Sequence, residues 1–299
     1  MHSGHLNRRQ MLSRTAGIAA ACGIGIGSAA TGAGDEQSAP AVTKGRIRQS
    51  VVQWCFGKHW KIEETCQVAK KLGIPSVELV NPRDWPILKQ HGLKCAIASS
   101  HPFDKGMNNP KHQPMCFEKL RAAIDASSEF GCPSVITFTG FREDIPDDVG
   151  MKNCVAGFKQ IVGYAEQKKV TLCLEMLNSR VNEEMKGHPG YQGDHTDYCV
   201  EIIKQVGSPR FKLLFDIYHV QIMEGDIITR IRQYHEYIGH YHTAGNPGRR
   251  ELDAKQEINY PPIMEEIVKT GYQGFVGQEF IPTRDPLEGL TEAVRVCDV

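Results

Sequence analysis

After position 45 the sequence contains no apolar run of about 18 residues, the length a helix needs to cross a bilayer, so the body of the chain is expected to have no membrane span. It also carries no excess of one charge. Its 35 Lys and Arg balance 35 Asp and Glu, which argues against the basic footprint of a nucleic-acid binder. The 10 cysteines form no CxxC pair and no repeating framework, so no disulfide scaffold is expected. Cys95, Cys132 and Cys173 stand in or beside apolar runs and read as free buried thiols. No GxGxxG follows the first candidate strand, and no GxxxxGK[ST] occurs in the body. The usual phosphate loops of doubly wound nucleotide-binding sheets are therefore missing. Low-complexity segments and splitting linkers are absent too, and no Ser-His-Asp or Cys-His arrangement stands out.

What is present divides into two unequal parts. Residues 1–45 contain Arg8-Arg9, then a small, weakly apolar Ala/Gly-rich stretch from Thr15 to Ala30, then a Gly/Ala/Ser/Thr-rich segment with Pro40. A basic start, an apolar middle and a small-residue zone form the layout of an export signal. The Arg pair is similar to the signal of the twin-arginine pathway. The expectation is a cleaved leader and a periplasmic protein, with a cytoplasmic location if the Arg pair is fortuitous. Export of an already folded chain would also accommodate unpaired thiols. Residues 46–299 are long enough to bury a large single core. With 40% hydrophobic and 23% charged residues the chain has the composition of a folded protein.

From Ile47 onward short apolar runs alternate with longer amphipathic ones. Candidate strands are Ile47–Trp54, Ser76–Val80, Lys94–Ala98, Ser134–Phe138, Thr171–Glu175, Lys212–Asp216, Ile238–His242 and Phe275–Glu279. Candidate helices are Ile62–Leu72, Arg83–His91, Gln113–Phe130, Met151–Lys169, Thr196–Val206, Ile227–Tyr234, Pro262–Thr270 and Leu287–Val296. Gly73, Gly92, Gly131, Gly207 and Gly271 follow five of them, where a left-handed C-cap belongs. Eight strands alternating with eight helices over about 250 residues predict an α/β fold, a single-domain (β/α)₈ TIM barrel.

The last four candidate strands end in Glu175, Asp216, His242 and Glu279, separated by 41, 26 and 37 residues, each about one β/α unit. Parallel barrel strands put their C-terminal ends on one rim, where barrel active sites are built. Buried together, three acids and an imidazole need a counter-charge. One divalent ion supplies it: Mg²⁺ or Mn²⁺ first for an oxygen-rich set, with Co²⁺ or Zn²⁺ admitted by the one His. Such an ion acidifies the hydrogen beside a carbonyl. Glu175 and Glu279 then suit the general base and the general acid that move it.

Several segments resemble a known family. They are Leu174-Glu175-Met176-Leu177-Asn178, His188-Pro189-Gly190-Tyr191, and the run from Phe215 through Tyr218-His219 to Asp226. Ile238 to Ala244, Pro247-Gly248-Arg249, Glu257 to Tyr260 and Gly271 to Glu279 continue the likeness. Together they are similar to the hydroxypyruvate isomerase family of the xylose-isomerase-like barrel superfamily. The resemblance runs from about Ile47 to the C-terminus and is most specific at the last four strands. It implies a metal held by Glu175, Asp216, His242 and Glu279, Glu175 and Glu279 as the acid–base pair, and substrate contacts from His219 and Arg249. His101, after the third candidate strand, is a further candidate substrate contact from its rim position. One departure stands out: where hydroxypyruvate isomerases often have Gln, this chain has His242, as sugar epimerases do.

The expected activity is therefore a metal-dependent isomerase of a small hydroxy-aldehyde, keto acid or sugar, with ketose 3-epimerisation as the alternative. A non-catalytic exported sugar-binding protein is the non-enzyme reading, and a phosphodiester-cleaving barrel would require a His-richer zinc cluster and a basic face. The partner is a small sugar or hydroxy-keto acid, not nucleic acid, and a homo-oligomer is compatible with the long loop around His188. Glu78, inside the second candidate strand, reads as half of a structural ion pair or as a rim contact. Trp54 reads as core or as an apolar wall of the pocket.

Overall fold

The computed structural model describes residues 40–299. The expected leader lies outside the described residues up to Ala39. Its last few positions are described, and they pack on the body. Ala41 is buried, and the amides of Thr43, Lys44 and Gly45 donate to the carboxylate of Asp298 at 2.6–2.7 Å.

Seven strands form one parallel sheet: β1 Gln49–Val52, β2 Ser76–Glu78, β3 Ser134–Thr137, β4 Thr171–Glu175, β5 Phe211–Asp216, β6 Ile238–Thr243 and β7 Val276–Gln278. Their order is β2-β1-β7-β6-β5-β4-β3, which curls the sheet so that β2 and β3 are left facing a gap. The expected strand Lys94–Ala98 stands in that gap but is not a regular strand. It bends at Ala96–Ile97 and makes only isolated parallel bridges, Lys94 to Ser76 and Ala98 to Val135. It still bonds to both sides. Val77 and Leu79 amides donate to the Lys94 and Ile97 carbonyls, and the Ile136 amide donates to the Ala98 carbonyl, all at 3.0 Å. An eighth, irregular stave thus closes the TIM barrel.

The strands are almost wholly buried, as parallel strands covered on both faces must be. Ile62–Leu72, Gln113–Phe130, Thr196–Val206 and Ile227–Tyr234 are helices with the expected bounds. All five glycines expected at helix ends have positive φ, between 67° and 86°. Elsewhere the local chemistry shifted the boundaries. Pro86 splits Arg83–His91 into a 3-10 turn, Pro82–Asp84, and a short helix, Trp85–Gln90. The helix expected from Met151 begins at Asp147 instead, where Asp147 and Asp148 meet the positive helix end. Two short helices, Gln53–Phe56 and Ile217–Met223, have no counterpart among the candidate helices.

Most apolar side chains pack between sheet and helices, while Ile97, Ile136, Phe138, Cys173, Leu177, Tyr191 and Leu214 form a second cluster under the rim. The nine cysteines among the described residues are all buried and free, which agrees with the expectation for Cys95, Cys132 and Cys173.

Candidate metal centre and its pocket

Strand register brings the candidate ligands together. Asp216 on β5 pairs with His242 on β6, and His242 pairs with Gly277 on β7, so Asp216 and His242 face the same way. Glu175 ends β4, and the Glu279 amide continues the ladder to the Thr243 carbonyl at 2.9 Å. Tyr191 anchors the end of β4 by donating to the Glu175 carbonyl at 2.8 Å while accepting from the Thr139 amide. Glu175, Asp216, His242 and Glu279 are all buried, and each offers an atom within 4.8 Å of the others.

The donor set fits a divalent cation. His242 Nδ1 lies 2.9 Å from a Glu279 oxygen and 3.5 Å from Glu175 Oε1. The approach is off line for a hydrogen bond, and both Nδ1 and Glu175 Oε1 are buried polar atoms without a partner. At the other ring edge His242 Nε2 donates to Glu78 at 2.8 Å, which fixes the tautomer and turns the Nδ1 lone pair toward the acids. His240, two residues earlier on the same face, shares the same Glu78 oxygen at 3.0 Å. Burial would raise the Glu78 carboxyl, but the two imidazoles outweigh it and hold it down at about 2. Gly277 leaves space for this clamp, because a Cβ there would sit 2.2 Å from Glu78 Oε1. Glu78 is thus the half of an ion pair expected from sequence, and one of its two imidazole partners is a candidate ligand.

The three acids differ. Burial pushes the Glu175 carboxyl up, and burial with the nearby Glu279 charge pushes Asp216 well up. Glu279 feels the same burial, yet Arg249 and His242 outweigh it and hold it well below the usual carboxylate range. Burial opposes a charge on His242, but the surrounding acids, Glu279 foremost, raise it well above an ordinary imidazole. Such a proton on His242 and a cation bound at the acids would neutralise the same charge. Asp216 also serves as a helix cap. Its Oδ1 accepts from the Tyr218 and His219 amides at 2.8 and 3.1 Å, at the start of the unanticipated helix Ile217–Met223.

That helix fixes His219. Its Nδ1 accepts from the Asn178 side chain at 2.7 Å and the Asn178 amide at 3.2 Å, so the proton resides on Nε2, which is buried and has no hydrogen-bond partner, 3.6 Å from Asp216. Burial and Arg249 keep this imidazole neutral. Arg249 is buried at a positive φ of 55° and bridges two regions: Nη2 donates to Glu279 at 2.6 Å and Nη1 to the Met185 carbonyl at 2.8 Å. Its guanidinium lies over Trp54, 5.2 Å from the ring centre. His101 lines the same pocket, but protein groups occupy both its nitrogens, Nδ1 with the Pro102 and Lys105 carbonyls and Nε2 with the Thr137 hydroxyl at 2.8 Å. A substrate bond from His101 would have to displace one of them.

Above Glu175 and Glu279 opens a pocket of about 730 Å³. Trp54 lines it, together with residues that sequence reasoning did not single out: Phe103, Phe138, Phe141 and Met185. His188, read from sequence only as part of a long loop, also lines it and packs 4.4 Å from Phe103, ring centre to ring centre. The one sequence signal for the aromatic wall was its position just past strand ends; for His240 it was the His-x-His alternation on β6.

Comparison with known proteins agrees with this architecture. Residues 66–298 match the family model described as xylose isomerase-like TIM barrel. A Danio rerio protein that carries the name hydroxypyruvate isomerase is 32% identical over 265 residues, which span 81% of this chain and 90% of that one. A 2-oxo-tetronate isomerase of Pectobacterium atrosepticum is 27% identical, with 75% and 88% covered. Among solved structures, an AP endonuclease, family 2, from Brucella melitensis superposes with a TM-score of 0.73 at 25% identity, covering 82% of this chain and 97% of that one. The chain therefore belongs to the xylose isomerase-like TIM-barrel family, in its hydroxypyruvate isomerase group, and is an isomerase.

Proposed function

We propose that the protein is a metal-dependent isomerase that moves a proton between Glu175 and Glu279 across a small α-hydroxycarbonyl compound, a sugar or a hydroxy-keto acid. The observation that carries this reading is the buried quartet of Glu175, Asp216, His242 and Glu279, whose ligand atoms lie within 4.8 Å of one another. A divalent ion held there, Mg²⁺ or Mn²⁺ first, would polarise a carbonyl and its neighbouring hydroxyl and so acidify the hydrogen on the carbon between or beside them.

The rest is done by side chains of this chain. Arg249 keeps Glu279 ionised and fixes its position through the 2.6 Å bond. Glu175, whose proton affinity burial has raised, is suited to hold the proton that the ionised partner lacks. One glutamate removes the α proton and the other returns it to the enediolate, on the neighbouring carbon for an aldose–ketose shift. His219, with its unpartnered Nε2–H, donates to a substrate oxygen, and Arg249 Nε, also buried and unpartnered, is a second donor.

Epimerisation of a ketose is the second reading. It is favoured by His242, which stands where the family's hydroxypyruvate isomerases often have Gln. It needs the same groups, with the proton returned to the same carbon from the opposite face. Turnover of keto sugars and hydroxypyruvate in D₂O with added Mn²⁺ tests both. Solvent deuterium at the reprotonated carbon is expected, and its position separates the two. Full activity of a metal-stripped sample, or near wild-type turnover in both Glu175→Gln and Glu279→Gln, would overturn the mechanism.

From the sequence alone we further infer that the reaction takes place beyond the cytoplasmic membrane. Replacing Arg8 and Arg9 with Lys should retain the chain in the cytoplasm, and unchanged export would refute the twin-arginine reading.

A further inference from the structure

The pocket is large for the smallest substrates of such a reaction. Its volume of about 730 Å³ would hold roughly two dozen waters at the ~30 Å³ each takes in the liquid. Pockets of this size accommodate drug-sized molecules. A three- or four-carbon keto acid reaching Glu175 and Glu279 would occupy the floor and leave the upper part empty.

The walls of that upper part are aromatic and apolar. Phe103 packs 6.0 Å from Phe141 and 6.4 Å from Phe138, ring centre to ring centre, and 4.4 Å from His188. Ile136, Leu177 and Met185 extend the surface. Among the described residues just three large apolar side chains are exposed, and two of them, Phe103 at 39% and Met185 at 38%, stand at this pocket. Apolar groups left in water beside a polar reaction floor mark a surface that a ligand covers.

The charges oppose an anionic substrate. The lining holds three acidic side chains, Glu175, Glu184 and Glu279, against one basic side chain, Arg249. Both terminal nitrogens of Arg249 are already committed, Nη2 to Glu279 and Nη1 to the Met185 carbonyl, which leaves its Nε–H for a neutral substrate oxygen. Burial pushes the His101 and His188 imidazoles down, His188 to about 4, so neither offers a cation at neutral pH. No basic side chain of the lining is then left without an acidic partner to receive a substrate carboxylate, and burying one unpaired is costly.

We propose that the substrate is a neutral, sugar-like α-hydroxyketone carrying an apolar, ring-sized substituent, with the hydroxyketone on the Glu175–Glu279 floor and the substituent against Phe103, Phe138 and Phe141. This rests on the isomerase reading and narrows its substrate class.

Calorimetric titration of the full chain, loaded with Mn²⁺, with D-fructose, 6-O-benzyl-D-fructose and hydroxypyruvate tests it. The benzyl compound should bind about 10- to 100-fold more tightly than D-fructose, the effect of burying one aromatic ring, and hydroxypyruvate most weakly of the three. Phe103→Ala, a change at an exposed position that folding tolerates, should bring the ratio within the neutral pair toward one. The proposal is overturned if the benzyl compound binds no better than D-fructose, shows no binding at millimolar concentration, or is outbound by hydroxypyruvate. Solvent-deuterium incorporation, followed by NMR on the same samples, keeps the two claims separate. A benzyl preference with no exchange in any compound strikes the isomerase reading and leaves the pocket assignment standing. Exchange into hydroxypyruvate with no benzyl preference does the reverse.

Discussion

The staves β4 to β7 end at the rim in Glu175, Asp216, His242 and Glu279, all buried and charged or chargeable. The remaining staves, β1, β2, Lys94–Ala98 and β3, lead at the same rim into Trp54, Leu79, His101 and Phe138, which line the pocket without a carboxylate among them. The backbone scaffold is the same parallel ladder in both halves. The division lies in where the functional side chains are carried. In the second half the candidate ligands sit on the strands or their continuing ladder, fixed by register; in the first, the lining groups sit just past the strands. A barrel of this kind can keep one reaction and change its substrate by altering one half.

The contrast is sharpest for the chemistry. Glu175→Gln or Glu279→Gln should lower kcat by about 10² to 10⁴-fold. Asp216→Asn should lower activity comparably and also lower the metal content measured after purification without chelator. Equal losses from substitutions in the other half would break the division.

Glu78 is the exception that tests it, since it belongs to β2 yet reaches across to His242 and His240. Glu78→Leu leaves both imidazoles without their acceptor. Breaking a buried charged pair costs about 3–5 kcal/mol, and losing a ligand's orienting partner typically costs about 10- to 100-fold in metal affinity. Denaturant unfolding and Mn²⁺ titration measure the two effects. Glu78→Gln, which keeps one acceptor oxygen, should recover part of both. A Glu78→Leu protein with unchanged Mn²⁺ affinity would show that the clamp only holds the fold together.

His188 offers a milder probe, through pH. Its pKa is lowered from 6.5 to about 4, chiefly by burial and then by Arg249. Between those values the unfolded chain binds the proton and the native one does not. Its contribution is therefore intact above pH 6.5 and is lost as pH falls toward 4, up to about 3 kcal/mol. His188→Gln should flatten that part of the stability profile; an unaltered slope would assign the acid sensitivity elsewhere. The smallest effect is expected at Trp54. Trp54→Ala removes a wall and the contact with Arg249, worth about 1 kcal/mol. It should raise KM several-fold with a lesser change in kcat, and a dominant kcat effect would move Trp54 into the reacting half.

The same contrast explains what was legible in the sequence. Glu175, Asp216, His242 and Glu279 could be found because each stands at the end of an apolar run, and parallel strands send such positions to one rim. Helices such as Gln113–Phe130 were readable from periodicity and a closing glycine. The apolar run Lys94–Ala98 shows where the missing stave lies but not its bend at Ala96–Ile97 or its isolated bridges, which the local pattern does not encode. The helix Ile217–Met223 is not evident from the pattern because its cap is the Asp216 side chain, which the sequence presents as a candidate ligand. The aromatic wall was hidden because Phe103, Phe141 and Met185 lie on loops positioned by distant contacts. Among these are the Arg142 bond to the Tyr191 carbonyl and the Arg249 bond to the Met185 carbonyl.

The clasp at Asp298 has a consequence for the order of assembly. One carboxylate, the last residue but one, gathers the amides of Thr43, Lys44 and Gly45 just ahead of β1. β1 in turn pairs with β7, the last strand made. The ring is therefore locked by contacts between residues 253 to 255 positions apart. The entropy of closing so long a loop has to be met before these bonds reward it, which makes sealing of the barrel a late event in folding, however early the first strand forms.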